Sequence, residues 1–366
     1  MEQIIARMKP PGQDVRDRGD WLKEAEKDML ETLKYPIIQA PMAGGVSTPA
    51  LAAAVSDAGG LGFLAGGYKT SEGLEKEILE LRERTAAAFG VNLFVPGADT
   101  ADQEAVGAYR AKLLKEADRV NASLGAPDYD DDDYARKIEL VIAKRVPLVS
   151  FTFGCPAKEI VQTLQENDIK VAVTVTNPDE AASALDAGAD VLCLQGAEAG
   201  GHRGTFSNDP DPQEDIGLLA LIRLVRTLTD KPLIAAGGVM DGAGVRAVLA
   251  AGANAAQLGT AFLLCPESGT NPVYRKALTD PRFTSTRITR AFTGRRARGL
   301  VNRFMETYGA EAPAAYPQVH HLTQQLRKEA AARGDAECMS LWAGQGYRMA
   351  RAIPAEQLVR ELMNEF

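Results

Sequence analysis

The residues in this chain that could do chemistry are few and gathered in short stretches. GAEAGGHRGTF (196–206) holds four glycines within nine residues around His202, one of only three histidines. An imidazole titrates near neutrality, so it can act as acid or base, and glycines let a ligand approach the backbone closely. A loop histidine without a role is the plainer meaning when the residue is taken alone. Asn92 and Gln195 are amides inside apolar runs, in NLF and LQG. Each offers donor and acceptor together, which suits the polar edge of a heteroaromatic ring, and each reads equally well as a satisfied core amide. Gly237 and Gly238 in AAGG, with Gly259 and Thr260 in QLGT, can turn backbone N–H groups toward a phosphate. Their plainer role is to end strands.

Other reactive types read more simply. Cys155, Cys193, Cys265 and Cys338 are far apart with no CxxC pair, which fits reduced thiols in a cytoplasm and gives no zinc or disulfide framework. No metal site is expected. Cys155 in FGCP has no local histidine and reads as a packed thiol. Arg295, Arg296 and Arg298 in TGRRARG read as a solvated basic face, with attraction of an anionic substrate as the sharper alternative. His320 and His321 read as surface residues. DYDDDDY (128–134) lacks the glycine and final glutamate of a calcium loop, so it reads as a solvated acidic turn.

The elements that must position these residues follow from patterning. From residue 35 on, short apolar runs alternate with amphipathic stretches: 36–42, 61–67, 89–95, 147–153, 170–175, 190–196, 232–238 and 254–260 read as eight strands. Near-continuous apolar strands belong to parallel sheets covered on both faces. Eight βα units point to a (β/α)8 TIM barrel over 35–265, with a doubly wound open sheet as the alternative. All the unusual motifs then fall at the C-terminal strand ends, where barrels carry their active sites, and the seventh and eighth ends form the usual phosphate site. Asn92 and Gln195 facing that same mouth favour a cofactor with both a ring and a phosphate.

Two regions break the repeat, and the two ends of the chain flank it. Residues 97–134 form a long polar excursion. Residues 266–335 show no strand pattern and read as an inserted helical lid subdomain over the barrel mouth. Residues 336–366 return as a helix to the barrel, and residues 1–34 form a helical arm. The formal charge of −8 argues against a polyanion-binding surface, so no nucleic acid is expected. With no apolar run of about 18 residues and no secretory h-region, neither a membrane span nor export is expected.

APMAGGVSTPALAAAVSDAGGLGFLAGGY, NLFVP, VSFTFGCP, QGAEAGGHRGTF, AAGGVMDGAGVRAVLAAGANAAQLGTAF and TRAFTGRRARGLVN, in order from about residue 35 to 305, resemble the nitronate monooxygenases, formerly called 2-nitropropane dioxygenases. LWAGQG (341–346) resembles the family's C-terminal segment. The resemblance implies noncovalent FMN and oxidation of alkyl nitronates, such as propionate 3-nitronate, or nitroalkanes by O2 to carbonyl compounds and nitrite. It implies Asn92 and Gln195 at the flavin ring with Met42 beneath it. It places Gly200, Gly237, Gly238 and the run Gln257, Leu258, Gly259, Thr260 at the ribityl phosphate. His202 matches the base that removes the α-proton of a neutral nitroalkane. Tyr308, Tyr316 and Tyr347 are candidates for the substrate side. A cytoplasmic enzyme is implied, and a homodimer is left open. Similar motifs occur in FMN-dependent enoyl-acyl-carrier-protein reductases and in flavin-linked quinone reductases with the same barrel, so an NAD(P)H-linked reductase stands as the alternative. A barrel that binds FMN only as a sensor is the non-enzymatic one.

Overall fold

Eight short β-branched and aliphatic runs pair in parallel around a common axis in this computed structural model, which describes residues 29–209 and 215–366. The strands are β1 (Ile37–Gln39), β2 (Gly62–Ala65), β3 (Phe89–Phe94), β4 (Leu148–Thr152), β5 (Lys170–Val175) and β6 (Val191–Gln195). After the two-residue β7 (Gly201–His202), which stands outside the barrel, come β8 (Leu233–Ala236) and β9 (Ala255–Leu258). Their order is β1-β9-β8-β6-β5-β4-β3-β2. The remaining seam closes through the parallel bridge Ile38–Leu61, with Gln39 N donating to Leu61 O at 2.9 Å. The buried Gln39 side chain reinforces this seam, its Oε1 accepting from Phe63 N at 3.0 Å. A closed seam excludes the open doubly wound sheet.

Alternation along each strand divides the core in two, because successive Cβ atoms point to opposite faces. Ile38, Phe63, Leu148, Val191, Cys193, Ile234 and Ala255 fill the barrel interior, and Leu30 caps it from the short helical turn Met29–Thr32. Their strand neighbours Ile37, Leu64, Val149, Leu192 and Leu258 face outward to the surrounding helices. Helix Ala355–Asn364 adds Leu358, Val359 and Leu362 to that outer core. The helical arm expected over residues 1–34 lies, for residues 1–28, outside the described residues.

The two stretches outside the repeat form one layer. Helix Gln103–Val120 from the excursion packs Val106, Tyr109 and Leu113 against Val319, Leu322 and Leu326 of helix Gln318–Ala332 in a second core. Tyr109 Oη donates to Ala291 O at 2.7 Å, and buried Glu116 pairs with Arg303 and Arg119. The expectation that residues 266–335 carry no strand is corrected. Strands β10 (Thr286–Thr289) and β11 (Ala297–Leu300) form an antiparallel ladder that β7 extends, with Ala297 opposite His202. Four-residue strands whose partner comes from a distant loop leave no period to read.

The DYDDDDY stretch is solvated over residues 128–131 and leads into helix Tyr134–Ala143, but its last two carboxylates are not solvated in the way expected. Asp132 Oδ1 accepts from Tyr68 N at 2.8 Å, and its other oxygen lies 2.8 Å from the buried Lys137 amine. Asp133 Oδ2 accepts from Ser71 N at 2.9 Å. The run is a strap that fixes the loop after β2. Burial outweighs the Lys137 charge and pushes the Asp132 carboxyl up to about 6. No described helix is long and apolar enough to cross a membrane.

Candidate active site

A cavity of about 500 Å³ opens at the C-terminal ends of the strands. Its floor comes from inward-facing strand residues. Asn92 donates from Nδ2 to Ser150 Oγ at 2.9 Å and Thr152 Oγ1 at 3.0 Å, which leaves Oδ1 as an acceptor for a ligand. Gln195 is more committed. Its Oε1 accepts from Arg203 Nη1 (2.9 Å) and Gly204 N (2.8 Å), while Nε2 donates to His202 O (2.9 Å). One N–H remains for a ligand, and the rest of the amide holds the histidine loop in place. Gln257 Nε2 lies 3.3 Å from Cys193 Sγ on the same floor, and Met42 lines the rim.

At one side the backbone forms a cradle. Gly237 and Gly238 have φ of 124° and 71°, the left-handed region that a side chain would strain. Gly237, Gly238, Gly259 and Thr260 all line the cavity, and among the described residues their N–H groups make no hydrogen bond to the protein. Unpaired donors gathered where a short helical turn (Thr260–Phe262) begins suit an anion such as a phosphate. Gly200 lets the segment after Trp342 pass closely, since a Cβ there would collide with the Ala343 and Gly344 backbone. Gly344 N in turn donates to Thr260 Oγ1 at 3.0 Å. Gly344 of LWAGQG therefore packs against the cradle and Gly346 lines the same cavity, a placement no local pattern announces. Leu258 does not line the cavity. As the outward neighbour of Gln257 its side chain sits in the outer core.

His202 stands across the cavity from strand β7. Its Nε2 lies 2.9 Å from Thr293 Oγ1, a hydroxyl that donates to Arg295 O at 3.1 Å. With that hydroxyl proton used, Nε2–H donates to the threonine and Nδ1 keeps the ring's free lone pair. Phe153, Tyr316 and Trp342 surround the ring at centroid distances of 5.7, 6.1 and 5.5 Å. Burial among them, then the charges of Arg295 and Arg327, depress its pKa to about 3. The imidazole is neutral at physiological pH.

Arg295 and Arg298 do not form the solvated face expected of TGRRARG; they are 5% and 8% exposed. Arg295 stacks over Phe153 with its Cζ 4.0 Å from the ring centroid and hydrogen-bonds Thr205 O, and its Nε has no partner. Arg298 Nε donates to Ala197 O at 3.0 Å. Arg296 pairs with Asp215 at 2.5 Å. His320 is likewise not a surface residue: it is 5% exposed and lines the cavity. His321 faces outward to Asp130 at 2.6 Å. Of the three candidate tyrosines only Tyr316 reaches the site, its hydroxyl 3.3 Å from that of Tyr68. Tyr308 bonds Glu116 (3.3 Å) and Tyr347 bonds Phe283 O (2.6 Å), both in the second core. Cys155 packs against the outer core, and burial raises its thiol pKa. Among the described residues no group of histidine, cysteine and carboxylate side chains is placed to hold a metal.

Known proteins are similar to this chain over most of its length. The family model described as nitronate monooxygenase matches residues 26–365. The nitronate monooxygenase of Pseudomonas aeruginosa is 44% identical over 349 residues, covering 91% of this chain and 96% of its own. A probable nitronate monooxygenase of Staphylococcus aureus is 39% identical over 355 residues, 94% and 98% of the two chains. Among solved structures, a nitroalkane oxidase from Streptomyces ansochromogenes is similar with 52% identity and a TM-score of 0.89, covering 92% of this chain and 97% of that one. FabK from Thermotoga maritima is 29% identical with a TM-score of 0.72, covering 92% and 94%.

Proposed function

The chain belongs to the nitronate monooxygenase family, and from that premise we propose that it oxidises alkyl nitronates with O2 to carbonyl compounds and nitrite, using FMN held in the 500 Å³ cavity. The observation that carries the reading is the pairing of a cradle of N–H groups that have no protein acceptor with a neutral imidazole near two guanidinium groups that have no carboxylate partner among the described residues.

The residues fit the cofactor. Gly237, Gly238, Gly259 and Thr260 would hold its phosphate through backbone N–H groups, and the Thr260 hydroxyl has its own proton to donate. Asn92 Oδ1 and the remaining Gln195 N–H would meet the ring edge. Bound there, FMN supplies the electron acceptor that O2 regenerates. The protein's part is binding and proton control. Arg295 and Arg327 raise the positive potential around His202, which favours a substrate that arrives already as an anion. For a neutral nitroalkane, His202 Nδ1 takes the α-proton while Thr293 holds Nε2 and fixes the ring's direction. The wall of Phe153, Tyr316 and Trp342 keeps water from the reacting carbon.

The deciding experiment mixes the flavin-loaded protein anaerobically with propionate 3-nitronate and, separately, with NADH. Rapid bleaching of the flavin by the nitronate and a sluggish response to NADH are expected. The reverse pattern would make the chain an NAD(P)H-linked reductase, the reading its likeness to FabK keeps in view. Protein that takes up no FMN refutes the cofactor assignment.

A further inference from the structure

Helix Gln318–Ala332 carries a second imidazole, not used in the chemistry described so far, and the Arg327 guanidinium, used there only for its charge, to the lid side of the cavity. The His320 ring stacks on Tyr68, with centroids 4.0 Å apart and planes within 5°. Arg327, seven residues along, donates from Nε to Thr323 Oγ1 at 3.1 Å. Its Nη2 donates to His320 O at 3.1 Å and lies 3.3 Å from His320 Nδ1.

This contact decides the tautomer. A guanidinium has five donors and no acceptor, so His320 Nδ1 must be the accepting, unprotonated nitrogen. The single proton of the neutral ring therefore sits on Nε2. Burial, then the Arg327 charge, holds the ring well below the usual histidine pKa, so no second proton is taken up. His320 thus carries one N–H donor in a fixed position, and Nε2 has no partner among the described residues. Arg327 Nη1 is also without a protein partner there, and no described carboxylate forms an ion pair with Arg327. A half-buried cation kept without a counter-ion beside a fixed neutral donor is a constellation that an anion completes.

We propose that Arg327 Nη1 and His320 Nε2–H form the receptor for the charged oxygens of the substrate's nitronate group, which makes this pair the determinant of preference for the anion over its neutral parent. The inference rests on the nitronate reading above. It adds two binding residues on the lid, opposite the strand-end loop that carries His202. A planar oxyanion suits a guanidinium edge, and the second donor sets the plane in which it lies. The stacked Tyr68 ring keeps the imidazole from rotating away.

Nitrate, a planar oxyanion with no α-carbon, is the probe. Its binding to the flavin-loaded protein is measured by titration calorimetry, beside steady-state kinetics on ethyl nitronate and on nitroethane. In Arg327→Met, nitrate binding should weaken by about tenfold or more and KM for the nitronate should rise in parallel, with kcat kept within about threefold. KM for nitroethane should hardly move. His320→Phe keeps the stack and removes the donor, so it should weaken nitrate binding severalfold. His320→Gln restores an N–H donor and should recover most of that loss. Arg327→Lys, which keeps the charge, guards against misfolding of the methionine variant and should fall between it and the wild type. Unchanged nitrate binding and nitronate KM in Arg327→Met overturn the receptor, as does equal loss in His320→Phe and His320→Gln. A wild-type protein that oxidises nitronates but does not bind nitrate competitively also overturns it while leaving the function intact. Failure of the wild type to oxidise any nitronate would strike the function itself.

Discussion

Acidification from pH 8 to pH 5 should leave the oxidation of a neutral nitroalkane almost unchanged. An ordinary imidazole with a pKa near 6.5 would be about 97% protonated at pH 5, and a rate that needs the free base would drop about 30-fold. His202 is held near 3 by burial and by the Arg295 and Arg327 charges, so roughly 99% of it remains neutral at pH 5. The depression corresponds to about 5 kcal/mol of bias against the imidazolium, at about 1.4 kcal/mol per unit. That bias also weakens the base, which is why the nitronate should be the far better substrate. The assay is O2 uptake with freshly dissolved nitroethane, read as kcat/KM because that ratio reports groups of the free enzyme. A matching series with the α-deuterated compound confirms that carbon–hydrogen cleavage is being read. A flat profile over pH 5–8 is expected, with the fall beginning only toward pH 4. A titration with a midpoint between 6 and 7 would refute the electrostatic account of this site.

Three further outcomes follow from the same structure. Folding stability should fall as pH drops below 6.5, because the unfolded chain takes up protons that folded His202 and His320 refuse; the His202 share at pH 5 is about 2 kcal/mol, partly offset by the proton that Asp132 gains near pH 6 in the folded state, and the net fall is read as a lowered urea midpoint. A second decline should begin below about pH 4.5. There Glu116, held at about 2 by its hydrogen bonds to Arg303 and Arg119 against the opposing cost of burial, loses a stabilisation that is complete only above its unfolded pKa. Gly238→Val places a side chain at a φ of 71° with its Cβ 3.1 Å from that of Glu198, so FMN affinity should weaken about tenfold or more by fluorescence titration while the circular dichroism of the barrel is kept. Retention of tight FMN binding in this variant would remove Gly238 from the cradle.

The barrel was legible because its information is local. Eight apolar runs, each closed off by turn residues, read as strands in any context, and the strand-end position of GAEAGGHRG, AAGG and QLGT follows from counting them. Alternation within a strand also separates Gln257, facing the cavity, from Leu258, facing the helices; reading the run Gln257–Thr260 as one block blurred that distinction.

What the tertiary structure alone decided are the facts that need two distant segments at once. His320 looks like an exposed residue in AYPQVHH until helix Gln318–Ala332 is seen to lie across the mouth, where Tyr68 and Arg327 set its plane and its proton. Arg295 and Arg298 look solvated until β11 pairs with β7 and draws TGRRARG under the His202 loop. LWAGQG shows its purpose only when Gly344 passes Gly200 and reaches Thr260. Composition and period set which segments become strands and helices, since those depend on neighbours a few residues away. Charge state, tautomer and ligand geometry depend on desolvation and on side chains brought from far along the chain, and only the packed structure brings them together.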